Sequence, residues 1–252
     1  MDAERALIVA AHPDDETIGA GIWMARRPSS DGITIVHVTD GSPRYLSDAR
    51  SAGFATREEY AAERRRELLA AVGLAGIHPD QCRALGYVDQ ESFHDLRDLV
   101  ESIRGVIAEL KPDLILTHPY EGGHPDHDAC AFAVGHALDG APHHEFASYH
   151  NGPTGLVSGK FLCEGPEEVL TLSPAERELK AAMFSCFRSQ KRVLDWFTIA
   201  QEKFRIAPKY DFTKPPHEGE LLYERFGFAT GEDWRRRAAE ALAALPNHRA
   251  VV

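Results

Sequence analysis

Residues 7–17, LIVAAHPDDET, change character within a few positions. A run of small and branched apolar residues suited to a buried strand ends in His12, Pro13, Asp14, Asp15 and Glu16, and TIGAGIWMARR (17–27) follows with a helical pattern. The same alternation continues downstream. ITIVHVTDG (33–41) reads as a strand closed by a turn, and TREEYAAERRRELLAAVG (56–73) as a helix with a Thr cap, an acidic first turn and a Gly stop. CRALG (82–86) is a short strand, LRDLVESIRGVIAELK (96–111) a helix, PDLILTHP (112–119) a strand and HDACAFAVGHAL (127–138) a helix. Strands and helices in alternation with short connections predict a mostly parallel, Rossmann-like α/β sheet flanked by helices on both faces. Such sheets bind ligands beyond the carboxyl ends of their strands, so His12 and the 118–128 segment are placed at one edge.

The last hundred residues follow another pattern. EFASYH, KFLCE and EEVLTLS suggest β-structure, and residues 173–197 read as one long helix behind a Ser-Pro entry. A Pro-rich loop spans 207–227, and 230–245 is a closing helix. With no linker or repeat, the expected organisation is a single domain over 1–252. Residues 1–150 form its α/β core, and 151–252 a β/α appendage that completes the pocket.

An apolar content of 43% in 252 residues allows a sizeable core. The net charge of −11 argues against nucleic acid or an anionic membrane surface as partner. No apolar run reaches the roughly 18 residues that span a bilayer, and MDAERALIVAAH lacks the order of a signal peptide, so the expected compartment is the cytoplasm. Cys82, Cys130, Cys163 and Cys186 are scattered without a CxxC pair and read as small buried residues. The Ala/Leu stripe of the last helix reads as core or as a subunit contact, which leaves a homo-oligomer open.

Two clusters carry chemistry. His12, Asp14, Asp15 and Glu16 offer imidazole and carboxylate ligands for Zn²⁺ or a similar cation, with a spare carboxylate to take a proton; the alternative is that an aspartate merely caps the following helix. THPYEGGHPDHDACAF (117–132) brings His118, His124 and His127 together with Glu121, Asp126 and Asp128, around two glycines that permit a tight turn. Either cluster alone is ambiguous. Two of them at one sheet edge point to a metal or acid/base site.

AHPDDE followed about a hundred residues later by HPDH resembles the LmbE/PIG-L family of metal-dependent N-deacetylases. TDGS after the second strand, the Arg/Glu-rich helix ending at Gly73 and LGYVDQ agree with it over roughly residues 5–150. The resemblance implies His12, Asp15 and His127 as metal ligands, Asp14 as general base, and a protonated His124, oriented by Asp126, facing the developing oxyanion. It also implies sugar contacts from Asp89 and from an arginine of 64–66, with Arg64 favoured by its spacing to Glu67. Glu16 matches the motif without a derived role.

The implied activity is removal of acetyl from an N-acetylglucosamine-type amino sugar or its conjugate, a small-molecule substrate, with Zn²⁺ as cofactor and Fe²⁺ as the alternative. An amidase for a larger thiol-sugar conjugate is the runner-up, favoured by a wide pocket mouth. A non-catalytic sugar- or nucleotide-binding module is the third reading, and carboxylates where a phosphate would need glycines count against nucleotide. His118, Arg44, Tyr45 and a lid formed by residues 211–220, with His217, are further candidates at the same edge.

Overall fold

The structure, a computed structural model, describes residues 3–27, 29–138 and 140–245. Its first half is built as the alternation predicts: β1 (Ala6–Ala10), α1 (Asp15–Ala25), β2 (Ile33–Pro43), α2 (Ser47–Ser51), α3 (Arg57–Leu74), β3 (Cys82–Asp89), α4 (Leu96–Leu110), β4 (Leu114–Thr117) and α5 (Pro125–Ala137). Then come β5 (His144–Phe146), β6 (Tyr149–Gly152), β7 (Gly155–Ser158), β8 (Glu168–Thr171), α6 (Pro174–Cys186), α7 (Lys191–Leu194), β9 (Gln201–Ile206), α8 (Leu222–Arg225) and α9 (Gly231–Ala244).

Seven strands form one sheet in the order β3-β2-β1-β4-β5-β9-β8. The five from β3 to β5 are parallel, and β9 and β8 extend the edge antiparallel. Alternate residues of β1 serve opposite faces, as the two-residue period of a strand requires. Leu7 and Val9 pack with Leu99 and Ile103 of α4, Phe132 of α5 and Trp234 of α9. Ala6 and Ile8 pack with Ile22 of α1, Leu68 and Val72 of α3 and Met183 of α6. The chain leaves β1 towards β2 on one side and returns through β4 on the other. The gap between the ends of β1 and β4 is therefore a topological switch point, where the crossover loops diverge and leave a crevice.

The C-terminal hundred residues depart from the pattern in four places. KFLCE is irregular rather than β-structure, and β9 lies in a stretch with no strand expectation. The long helix ends at Cys186, and a 3₁₀ turn over Arg188–Gln190 leads into the short α7. Residues 207–227 contain α8. The cysteine reading holds for Cys82 and Cys130, whereas Cys163 is exposed and Cys186 half-buried. Among the described residues, no helix is long and apolar enough to cross a membrane.

Candidate metal centre

His12 and Asp14 occupy the turn between β1 and α1, Asp15 opens α1, and His118, His124 and His127 follow β4, so the switch point brings both clusters together. All are buried. Asp15 is the hinge of the arrangement. Its Oδ2 accepts the His12 amide at 2.8 Å and lies 3.1 Å from His12 Nδ1, while its Oδ1 lies 3.3 Å from His127 Nε2. Ring nitrogens of His12, His124 and His127 come within 4.8 Å of one another, as do single donors from Asp15, His118 and His127.

The electrostatics are those of a cation site. Burial disfavours charge on His12, but Asp89, Asp126 and Asp15 outweigh it and hold its pKa well above the usual value. Burial, with His118 alongside, pushes His127 down to about 4; burial, with His12 alongside, pushes His124 down to about 3. Both are thus neutral imidazoles, the form that ligates metals. His127 Nε2 has no hydrogen-bond partner although buried, and Ser148 Oγ, 3.2 Å from Nδ1, fixes the ring. An orphaned imidazole nitrogen beside a carboxylate, in a site of nitrogen and oxygen donors, fits a divalent cation.

Asp14 stands at the N-cap of α1 but makes no capping hydrogen bond, so the helix-cap alternative does not describe it. Its backbone lies at φ 146°, ψ −30°, a region that typically costs an L-residue about 1–3 kcal/mol. Burial pushes its carboxyl up to about 8, against the pull of Arg64 and His12. A bound cation next door acts in the lowering direction.

For three expected residues the structure adds contacts that the sequence did not give. Arg64 is the arginine that faces the site, but its guanidinium is committed to it: Nη2 reaches Asp14 Oδ2 at 3.0 Å and the Pro13 carbonyl at 2.9 Å, and Nη1 the Gly41 carbonyl at 2.5 Å. Arg65 and Arg66 turn to the Cys82 carbonyl and to Glu63. Asp89 sits at the centre itself, with Oδ1 3.1 Å from His12 Nε2, rather than only towards a sugar. Asp126 does not orient His124 through its carboxylate, which lies 3.7 Å from Nδ1. That carboxylate accepts the Gln90 and Ser92 amides and the Ser92 hydroxyl, tying the end of β3 to α5, while His124 Nδ1 accepts the Asp126 amide at 3.2 Å. With Nδ1 accepting, the neutral ring carries its proton on Nε2.

A cavity of about 730 Å³ opens from these residues. Aromatic rings climb one wall: Tyr149 at 5.1 Å from His127, Trp196 at 5.9 Å from Tyr149, and Phe226 stacked on Trp196 at 6.2 Å and 20°. Phe228 closes the series 5.2 Å from His124. None of these rings stood out in the sequence, because they are spread over residues 149–228 with no spacing that links them. His118 packs against the centre, stacked on His127 at 3.9 Å and accepting the Ala11 amide. Residues 211–220 do not line the cavity. Phe212 is buried in the core and Tyr120 Oη donates to the Lys214 carbonyl, so this segment is an anchored surface connection rather than a lid. Arg44 pairs with Glu91, Tyr45 is 80% exposed, and neither lines the cavity.

Known proteins resemble this chain in sequence and in fold. Residues 7–138 match the PIG-L family, described as GlcNAc-PI de-N-acetylase. A probable N-acetyl-alpha-D-glucosaminyl L-malate deacetylase 2 of Bacillus subtilis is 37% identical over 139 residues, 54% of this chain and 61% of that protein. A 1D-myo-inositol 2-acetamido-2-deoxy-alpha-D-glucopyranoside deacetylase of Thermobifida fusca is 34% identical over 149 residues, 50% of this chain and 51% of that one. The matches thus span less than two thirds of these relatives' length. Among solved structures, the A40926 pseudoaglycone deacetylase Dbv21 shares the fold at a TM-score of 0.63 and 24% identity, over 83% of this chain and all of that one. The N,N'-diacetylchitobiose deacetylase of Pyrococcus horikoshii does so at 0.57 and 22%, over 82% and 85%. The family match covers just over half the chain and contains every residue of the two clusters, and the chain belongs to the PIG-L family.

Proposed function

We propose that this chain is a metal-dependent N-deacetylase, hydrolysing the acetamide of an N-acetylglucosamine-type amino sugar or its conjugate in the cytoplasm. The observation that carries the reading is Asp15, whose two oxygens touch His12 and His127 while the adjacent Asp14 carboxylate turns to Arg64 and the cavity. His12, Asp15 and His127 would hold the ion, Zn²⁺ with Fe²⁺ as the alternative. When bound, it supplies a Lewis acid that makes water a competent nucleophile near neutral pH.

The side chains supply the rest. Asp14 accepts the proton of the attacking water and returns it to the leaving amine. Arg64 holds the Asp14 carboxylate, and its charge favours the ionised form. A neutral His124 donates from Nε2 to the charge that develops on the amide oxygen, which replaces the protonated ring expected from sequence; a neutral imidazole in this electrophilic role is a known arrangement. The aromatic wall and the size of the cavity support a conjugated substrate, with the acetamide at the metal end and the aglycone towards Trp196 and Phe226. The same width favours the larger-amide reading enough to keep such substrates in the test.

The test is acetate release from a panel of N-acetylglucosaminides, and amine release from larger amides of thiol-sugar conjugates, by the Zn²⁺-loaded and Fe²⁺-loaded protein. Asp14→Asn is expected to keep its metal and lose about 10²-fold to 10⁴-fold in kcat; His127→Ala is expected to lose metal. Unchanged turnover in both folded variants would sink the assignment.

A further inference from the structure

We propose that Glu16, braced by His37 and Thr17, is a positioning residue that holds the backbone of Asp14 so that its carboxylate serves the cavity instead of the helix. The inference rests on the reading of Asp14 as the base. Glu16 is fully buried, does not line the cavity and lies among no candidate metal donors. Its Oε2 accepts the Asp14 amide at 3.1 Å and lies 2.9 Å from His37 Nε2, and its Oε1 accepts the Thr17 hydroxyl.

What this accomplishes follows from the peptide it grips. The unit between Pro13 and Asp14 is clamped at both ends: Arg64 Nη2 donates to the Pro13 carbonyl from the cavity side, and Glu16 accepts the Asp14 N–H from the buried side. A peptide plane held in this way resists rotation, and Asp14 stays at φ 146°. In the relaxed, extended conformation usual for an N-cap, a short carboxylate bonds the amides of the first helical turn. Here the side chain makes no such bond and reaches Arg64 instead. Two consecutive aspartates can therefore face different tasks, Asp15 towards His12 and His127, Asp14 towards the substrate space. A carboxylate suits the role because its two oxygens accept the Asp14 amide and the Thr17 hydroxyl at once, and His37 satisfies the remaining capacity of Oε2 in a site without access to bulk water.

The test compares Glu16→Gln, which keeps an acceptor for the Asp14 amide, with Glu16→Leu, which removes it, in the Zn²⁺-loaded full chain. Glu16→Leu is expected to lower kcat for an N-acetylglucosaminide about 10²-fold, with KM and metal per chain unchanged, and Glu16→Gln to recover most of the rate. In an Asp14→Asn background Glu16→Leu should add little further loss, because the two act as one unit. A full, additive loss in that background, or a loss that appears in KM or metal content alone, overturns the proposal. If Glu16→Leu does not fold, His37→Leu removes the brace and is expected to lower kcat in the same direction; no change overturns the proposal.

A crystal structure of the variant separates the two readings. If the wild-type protein releases no acetate from any glycoside, the base assignment fails. Asp14 leaving positive φ in Glu16→Leu but not in Glu16→Gln still upholds the hold by Glu16, and an unmoved Asp14 refutes it.

Discussion

Gly41, at the far end of β2, is where a single carbon would be felt at the base. It lies at φ 68°, and a Cβ there would stand 2.5 Å from Arg64 Nη1. Gly41→Ala therefore combines left-handed strain with displacement of the guanidinium that holds Asp14, and about 1–3 kcal/mol of stability should be lost. Urea unfolding checks the first effect and kcat the second. A stable variant with full activity would show that Arg64 can hold Asp14 from another position. The glycines of THPYEGGHPD are required for a similar reason: Gly122 adopts φ 69°, and a Cβ on Gly123 would collide with the Tyr149 carbonyl.

At the scale of elements, α1 carries the site and is itself broken. Ala20 leaves helical geometry, which frees amides and carbonyls on either side of the break. Glu202 of β9 accepts the Ile22 and Trp23 amides at 2.7 and 2.8 Å, and Lys180 of α6 donates to the Thr17 and Ile18 carbonyls at 2.7 and 2.9 Å. The two side chains pair with each other, fully buried. The C-terminal elements thus repair the helix that presents Asp14 and Asp15. Lys180→Met leaves Glu202 without its cation and two carbonyls without donors, and about 3–5 kcal/mol should be lost. The urea midpoint measures it, and a loss under about 1 kcal/mol would mean that water takes over these contacts.

For the whole molecule, the centre joins turns that are distant in the chain: 12–15 after β1, Asp89 at the end of β3, 118–127 after β4 and Ser148 beyond β5. An ion bound there binds only the folded state, because the unfolded chain does not assemble the donors. Metal at 100 times its Kd should add about 2.7 kcal/mol to stability. Chelation is expected to lower Tm, and added Zn²⁺ to restore it in calorimetry. A Tm indifferent to both would mean that the donors hold their positions without an ion.

Local pattern determined a large share of this protein. The apolar runs, the capping signals around Thr56 and Gly73 and the alternation of strand and helix specify the parallel half. Sheet topology then requires that loops after β1 and β4 meet, so the approach of the His12–Glu16 turn to the 118–128 segment was legible in the sequence. Only the tertiary structure decided what each polar side chain touches. Arg64, Asp89 and Asp126 have the residue types for sugar contact or catalysis, yet their bonds run to Asp14, His12 and the amides of Gln90 and Ser92. Glu16 acquired its partners from His37, a residue 21 positions away inside an apolar strand. The physical reason is the range of the interactions. Hydrophobic periodicity is written within one turn or one strand, whereas a buried carboxylate is satisfied by whichever donor the packing of distant elements brings within 3 Å.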